Sequence, residues 1–268
     1  MNLRLTTALV ALAALCGLAR PQSAASGRHE CAIVQALDGS MPFVSDAAEC
    51  AVKTAPASTF KVPHALIALE TGVVADPLAL VRWDGTKYPN PLWERSHSLD
   101  SAMKSSVLWF YQRTAGLIGR ERMLAWLERL GYGSDKYEGD QTSFWLNGDL
   151  VVSPLEQLDF LSRLVTNKLP VTPRNLDAVK AAFQMPPGAI TNATGTHPFA
   201  VQWPGPLVVH AKTGNTTVAG ERISWVVGYA ESGGRNTVFV ARVRGGGDLS
   251  PQAGADLAVR TLNAHHPK

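Results

Sequence analysis

The stretch Ala57-Ser58-Thr59-Phe60-Lys61, continued by Val62-Pro63-His64-Ala65-Leu66-Ile67-Ala68-Leu69-Glu70, decides how the rest of the chain is read. It sets a hydroxyl and an amine three residues apart at the start of an apolar run with helical character, closed by Thr71-Gly72. One helical turn brings Ser58 and Lys61 onto the same face. A serine hydroxyl is a weak nucleophile until a nearby base takes its proton, and a lysine amine does so only when neutral. At a helix start the hydroxyl also lies near unpaired backbone N–H groups, which favour the negative oxygen formed when a carbonyl is attacked. Taken alone, the same spacing is also that of a helix cap followed by a solvent-facing lysine. Pro63 interrupts the early hydrogen-bond ladder, which the first turn tolerates.

Upstream, Ala32-Ile33-Val34-Gln35-Ala36 and Met41-Pro42-Phe43-Val44 form two arms of a hairpin at about 31–46, with Asp38-Gly39 at its turn. Downstream, Asp84 to Arg95 is rich in Gly, Pro, Asn and Trp without periodicity and reads as a rim loop. Leu99 to Leu117 is helical in pattern and carries Ser105 and Val107. A further helix over Gly119 to Leu130 stops at Gly131. Tyr132 to Gly148 is a polar loop with the apolar plug Phe144-Trp145-Leu146. Ser153-Pro154-Leu155-Glu156 then supplies a cap, a proline at the first helical position and a glutamate at the third, opening a helix to about Leu164. Another helix runs from near Pro173 to Gln184.

The last quarter changes period. Leu207 to Ala211, Ile223 to Tyr229 and Thr237 to Val243 are strands, and residues 251–263 close as a helix. A hairpin first, helices between and strands last imply an α+β fold in which both chain ends complete one antiparallel sheet flanked by helices. The helical lobe, at about 72–200, is then an insertion into a single domain spanning 26–268, with no internal repeat or low-complexity segment.

The 268-residue chain can bury a sizeable core, and 46% hydrophobic with 18% charged residues is ordinary globular composition. Residues 1–25 read as a secretory leader: Arg4 precedes the apolar run Leu5 to Ala19, and Ser23, Ala24 and Ala25 offer a cleavage point. Leu15 before Cys16 is the wrong residue for lipoprotein processing. Cleavage after Ala25 removes Arg4 and Arg20, so the net charge falls from +3 to +1, which excludes a nucleic-acid partner. No later stretch is long enough to cross a bilayer, so no membrane partner is expected after cleavage. Cys31 and Cys50 would remain, at the open ends of the hairpin; in an exported protein they form a disulfide, the alternative being two buried thiols. Without further cysteines or clustered histidines there is no zinc site.

Ser58-x-x-Lys61, then Ser105-Ser106-Val107, then Lys212-Thr213-Gly214 after an extended run resembles the penicillin-recognising serine enzymes. Pro56-Ala57-Ser58-Thr59-Phe60-Lys61, Tyr132-Gly133, Phe144-Trp145-Leu146 and Ser153-Pro154-Leu155-Glu156-Gln157-Leu158 make it similar, over nearly the whole chain after the leader, to the class D β-lactamases (oxacillinases). The resemblance implies a β-lactamase/transpeptidase-like fold with its site between lobe and sheet, a periplasmic location and a small β-lactam as substrate. No metal or organic cofactor is implied.

In residue terms, it implies Ser58 as nucleophile and Lys61 as base. A lysine amine ordinarily titrates near 10.4, so apolar Phe60, Val107, Trp145 and Leu146 would have to keep it neutral. In the family that amine takes up carbon dioxide as a carbamate, which Trp145 would hold. Ser105 would relay a proton, and Val107 would pack on Lys61. Lys212 and Thr213 would meet the substrate carboxylate, Gly214 would let the acyl group lie close, and the N–H groups of Ser58 and Asn215 would form the oxyanion hole. Two positions depart from the family: Ser134 stands where Asn is usual, and Asp256 falls near where an arginine often completes carboxylate binding. Arg222, Arg242 and Arg244 are the candidates to replace it. Oligomeric state and preference among penicillins, cephalosporins and carbapenems are not legible. A penicillin-binding sensor or peptidase without turnover, an esterase using the same Ser–Lys pair, and a binding protein that has lost the chemistry are the competing functions.

Overall fold

The structure, a computed structural model, describes residues 27–134, 136–192, 195–198 and 206–265. The leader at 1–25, with Arg4 and Cys16, lies outside the described residues. The chain opens with β1 (His29–Ala36) and β2 (Phe43–Val44), which pair antiparallel through Ile33 with Val44 and Val34 with Phe43. Gly39 takes φ +92° in the turn, where a side chain would be strained. Next come α1 (Ala47–Ala51), capped by the Asp46 carboxylate on Glu49 N–H, and a 3-10 turn over Ala57–Phe60. That turn leads into α2 (Lys61–Glu70). A short 3-10 turn at Pro91–Trp93 stands in the rim loop, followed by α3 (Leu99–Lys104), α4 (Leu108–Ile118), α5 (Arg120–Leu130) and α6 (Phe144–Asn147).

The expected cap opens α7 (Pro154–Val165): the Ser153 hydroxyl accepts from Glu156 N–H at 3.2 Å while the Glu156 carboxylate accepts from Ser153 N–H at 2.8 Å. α8 (Pro173–Ala182) follows, then a small hairpin, β3 (Ala189–Asn192) with β4 (Gly195–Pro198), that sequence periodicity did not predict. The chain ends with β5 (Val208–Val218), β6 (Glu221–Ser232), β7 (Arg235–Gly245) and α9 (Ala253–His265).

The main sheet has the order β2-β1-β7-β6-β5 and is antiparallel throughout, so strands from both chain ends meet at the β1–β7 pairing. Its two faces alternate along each strand, as a period of two requires. Ile33, Val227, Tyr229, Val238 and Val240 face a core shared with α2, α4, α5 and α7, while Ala32, Val34, Val226, Phe239 and Ala241 face α9. The molecule is therefore α+β, with helices on both faces of an antiparallel sheet.

A disulfide joins Cys31 to Cys50. Beside it, buried Arg242 donates to the Glu49 carboxylate, to Glu49 O at 2.8 Å and to Val52 O. Arg244 bridges Glu49 and Glu221 at 2.7 and 2.9 Å. This network fastens α1 to β7 and β6. Four segments differ from their sequence reading. The three late strands run several residues longer than their apolar runs, and the helix expected over Leu99 to Leu117 is broken in two. Its first half ends in a paired closure: Ser106 N–H donates to Met103 O at 3.2 Å, and Val107 N–H to Ala102 O at 2.9 Å, with Ser106 at φ +51°.

Candidate active site

Ser58 sits in the 3-10 turn that feeds α2, one residue after Ala57 at φ +50°. A side chain pays for that left-handed backbone, which lifts the turn away from regular helix. The segment before it is tied down from two sides. Trp225 Nε1 donates to Ala55 O at 3.0 Å from the sheet. From the helical side, Thr54 and Val152 exchange backbone hydrogen bonds of 3.0 and 2.9 Å. Gly214 of β5 then passes so close that a Cβ on it would lie 3.0 Å from Pro56 O and 3.1 Å from Ser58 N. Any larger residue would push the strand off the nucleophile turn.

Lys61, at the first position of α2, is 1% exposed, and its Nζ lies 2.7 Å from Ser58 Oγ. The amine also sits 5.2 Å from the centre of the Tyr111 ring. Burial, and then the Lys212 cation, pull its pKa well below the usual lysine range. As a neutral amine it accepts the Ser58 hydroxyl proton across the same contact, which is the state a general base requires. Lys212, 4% exposed, donates to Thr213 O at 3.0 Å, and burial brings its pKa down to about 7.

Ser58, Lys61, Ser105, Lys212, Thr213 and Asn215 all line one cleft of about 1000 Å³, which Gly214 also borders. Its apolar wall includes Leu92, Trp93, Met103, Leu108, Leu146 and Met185. Ser105 is not inside a helix: it caps α3, and Trp93 Nε1 donates to its carbonyl at 3.0 Å. Phe60, Val107 and Trp145 are fully buried, whereas Leu146 borders the cleft, its carbonyl accepting from Thr216 Oγ1 at 2.6 Å. The expected apolar plug is the helical turn α6. Trp145 stacks on Phe60 at 5.6 Å and meets His64 edge-on at 5.8 Å, packing on the turn of α2 that carries Lys61. Its indole N–H finds no hydrogen-bond partner among the described residues.

The Ser134 hydroxyl donates to Lys136 O at 3.2 Å and accepts from Val151 N–H at 3.3 Å, a local structural bond away from the cleft. Asp256 pairs with His197 at 2.9 Å. None of the arginines named as substitutes reaches the cleft: Arg222 donates to Leu249 O at 2.7 Å, and Arg242 and Arg244 are held by Glu49. Among the described residues lining the cleft, the basic side chains are Lys61, Lys104 and Lys212, and Lys104 is paired with Asp100 at 2.8 Å. Sequence reasoning gave no role to Tyr111, over whose ring Lys61 Nζ lies, to His64 one turn further along α2, to Thr114, which meets His64, nor to Trp93. It also missed Gln157, whose amide donates to Thr59 Oγ1 and Tyr132 OH, each at 3.0 Å. His64 and Gln157 fall within stretches quoted above, but their contacts are made with residues distant in the chain, which neither stretch announces.

A cleft serine in contact with a buried lysine, beneath an edge strand carrying Lys-Thr-Gly, is the arrangement of a serine acyl-transfer site, and the family comparison agrees. The model of the penicillin binding protein transpeptidase domain matches residues 30–263. Among curated relatives, β-lactamase OXA-48 of Klebsiella pneumoniae is 40% identical over 66% of this chain and 60% of its own length. The probable β-lactamase YbxI of Bacillus subtilis is 33% identical over 84% of this chain and 78% of its own. Among solved structures, the class D β-lactamase YbXI from Nostoc superposes with a TM-score of 0.76 at 30% identity, covering 88% of this chain and 93% of that one. The C-terminal domain of the Bacillus licheniformis BlaR penicillin-receptor gives 0.76 at 26% identity, over 88% and 90%. The chain thus belongs to the penicillin-binding transpeptidase family and, within it, to the class D serine β-lactamases.

Proposed function

We propose that this chain hydrolyses the β-lactam amide bond through an acyl-enzyme on Ser58, with Lys61, carbamylated by carbon dioxide, as general base. The observation that carries this is the 2.7 Å contact of Lys61 Nζ with Ser58 Oγ inside a pocket that disfavours the ammonium form. The side of Lys61 takes the hydroxyl proton as Ser58 Oγ bonds to the ring carbonyl carbon. The carbon–nitrogen bond breaks, and Ser105 passes a proton to the leaving nitrogen. The N–H groups of Ser58 and Asn215 receive the oxyanion, and Lys212 with Thr213 receives the substrate carboxylate. Water then cleaves the ester and frees Ser58.

The residues present fit a carbamate: a buried neutral amine can bond to carbon dioxide with loss of one proton, and Trp145 Nε1 offers a buried N–H without a partner. Once formed, that group would supply an anionic oxygen basic enough to accept the Ser58 proton and to direct water for deacylation. On the same proposal residues 1–25 export the protein to the periplasm, and residues 26–268 are the working domain, its helical lobe inserted at about 72–200. No helix among the described residues is long and apolar enough to cross a membrane.

The likeness to the BlaR penicillin-receptor domain supports a second reading, acylation without turnover. Purified protein mixed with nitrocefin, a chromogenic cephalosporin, separates the two. Sustained turnover supports the hydrolase, while one equivalent of colour with a stable Ser58 adduct by mass spectrometry supports the receptor. Loss of turnover on removing carbon dioxide, and its return with bicarbonate, would support the carbamate; full turnover without carbon dioxide would refute it.

A further inference from the structure

A second buried polar atom in this pocket lacks a partner among the described residues: Nδ1 of His64. His64 follows Lys61 by three residues on α2, so the two side chains share a face. Its ring is fully buried, edge-on to Tyr111 at 5.1 Å and to Trp145 at 5.8 Å. Its Nε2 lies 3.1 Å from Thr114 Oγ1, which also stands 3.0 Å from Phe110 O and 3.2 Å from Tyr111 O within α4. Burial first, and then the nearby Lys61, hold the imidazole neutral, its pKa down at about 3. It therefore has one N–H and one lone pair at any working pH.

The Thr114 hydroxyl selects between two tautomers. Donating to a carbonyl of α4, it accepts from Nε2–H and leaves Nδ1 bare; donating to Nε2, it leaves the proton on Nδ1. An apolar side chain would fill this space without a polar atom to satisfy, so a histidine here marks a use for the free nitrogen.

We propose that His64 is a positioning residue of the base: its Nδ1–H, together with Trp145 Nε1–H, forms a pair of neutral donors that holds the carbamate on Lys61, in the tautomer set by Thr114. This rests on the carbamate reading above. Forming the carbamate turns a neutral amine into an anion and releases one proton, so two uncharged donors stabilise the product without a permanent cation in the pocket.

The test is a titration with carbon-13 bicarbonate, following the carbamate signal by NMR in purified wild type, His64→Leu and His64→Asn. His64→Leu should need about ten-fold more bicarbonate for half-saturation, the share of one hydrogen bond to a charged group. His64→Asn, which keeps an N–H donor near the same place, should return to within about three-fold of wild type. Unchanged half-saturation in folded His64→Leu overturns the proposal. Should that variant not fold, nitrogen-15 histidine spectra of wild type decide. Bicarbonate should move His64 Nδ1 to the protonated shift in wild type and not in Lys61→Ala; an Nδ1 left bare at saturation overturns it. A wild type with no carbamate signal overturns the carbamate reading itself, whereas a signal indifferent to His64→Leu overturns only this inference.

Discussion

Lys61 is buried near a second buried lysine, Lys212, and makes no ion pair with a carboxylate among the described residues. Such a side chain destabilises the fold in return for reactivity. Lys61→Met should therefore abolish turnover while raising stability by about 1–2 kcal/mol in urea unfolding. Both lysines have folded pKa values below their unfolded ones, so between those values the unfolded chain binds protons that the native state does not. Wild-type stability should rise with pH from neutrality toward 10 and fall as pH is lowered; in Lys61→Met that slope should flatten to the Lys212 share. For activity, kcat/KM should be bell-shaped. The acid limb reports protonation of Lys61, and the alkaline limb loss of the Lys212 charge from about 7 upward; Lys212→Arg should remove the alkaline limb. Ser58→Ala should keep the fold and show no mass adduct after penicillin exposure. The Ser58–Lys61 pair was legible because one helical turn fixes its geometry. His64 was not, because its meaning lies in Thr114, which it meets only in the folded chain.

At the scale of elements, two helix ends show what a sequence does and does not announce. α5 closes with Gly131 N–H on Glu128 O at 2.9 Å and Tyr132 N–H on Leu127 O at 3.0 Å, with Gly131 at φ +59°. α3 closes in the same pattern but places Ser106 at the left-handed position. The glycine marks its stop in advance, whereas the serine reads as helix interior, and Ser105 was accordingly misplaced. The strain at Ser106 puts the Ser105 side chain at an elbow bordering the cleft. Ser106→Gly should relieve it and raise stability by about 0.5–1 kcal/mol, checked by thermal unfolding. If the strained elbow presets Ser105, the same variant should acylate more slowly. The capping box of α7 was legible in full, since all of its partners lie within four residues.

On the scale of the molecule, the sheet built from both chain ends was legible in the order of strand and helix patterns. The β3–β4 hairpin and the destinations of Arg242 and Arg244 were not, because nothing local distinguishes an arginine bound to Glu49 from one facing a cleft. The Cys31–Cys50 disulfide closes a loop over a separation of 19 residues. Replacing both cysteines by alanine should cost roughly 3 kcal/mol of stability in denaturant titration. The loss should reach activity too, because the bridge, the Glu49 network, Trp225 and Val152 all anchor the approach to Ser58. At the rim, Leu92 is 52% exposed on the edge of the cleft, and its backbone is held by other partners, the Asn90 side chain at 3.1 Å and buried His97 at 2.9 Å. Reactive centre and substrate border are thus fastened separately. Substitutions at the border can therefore reshape the mouth of the cleft while the nucleophile keeps its place and the folding of the chain stays intact.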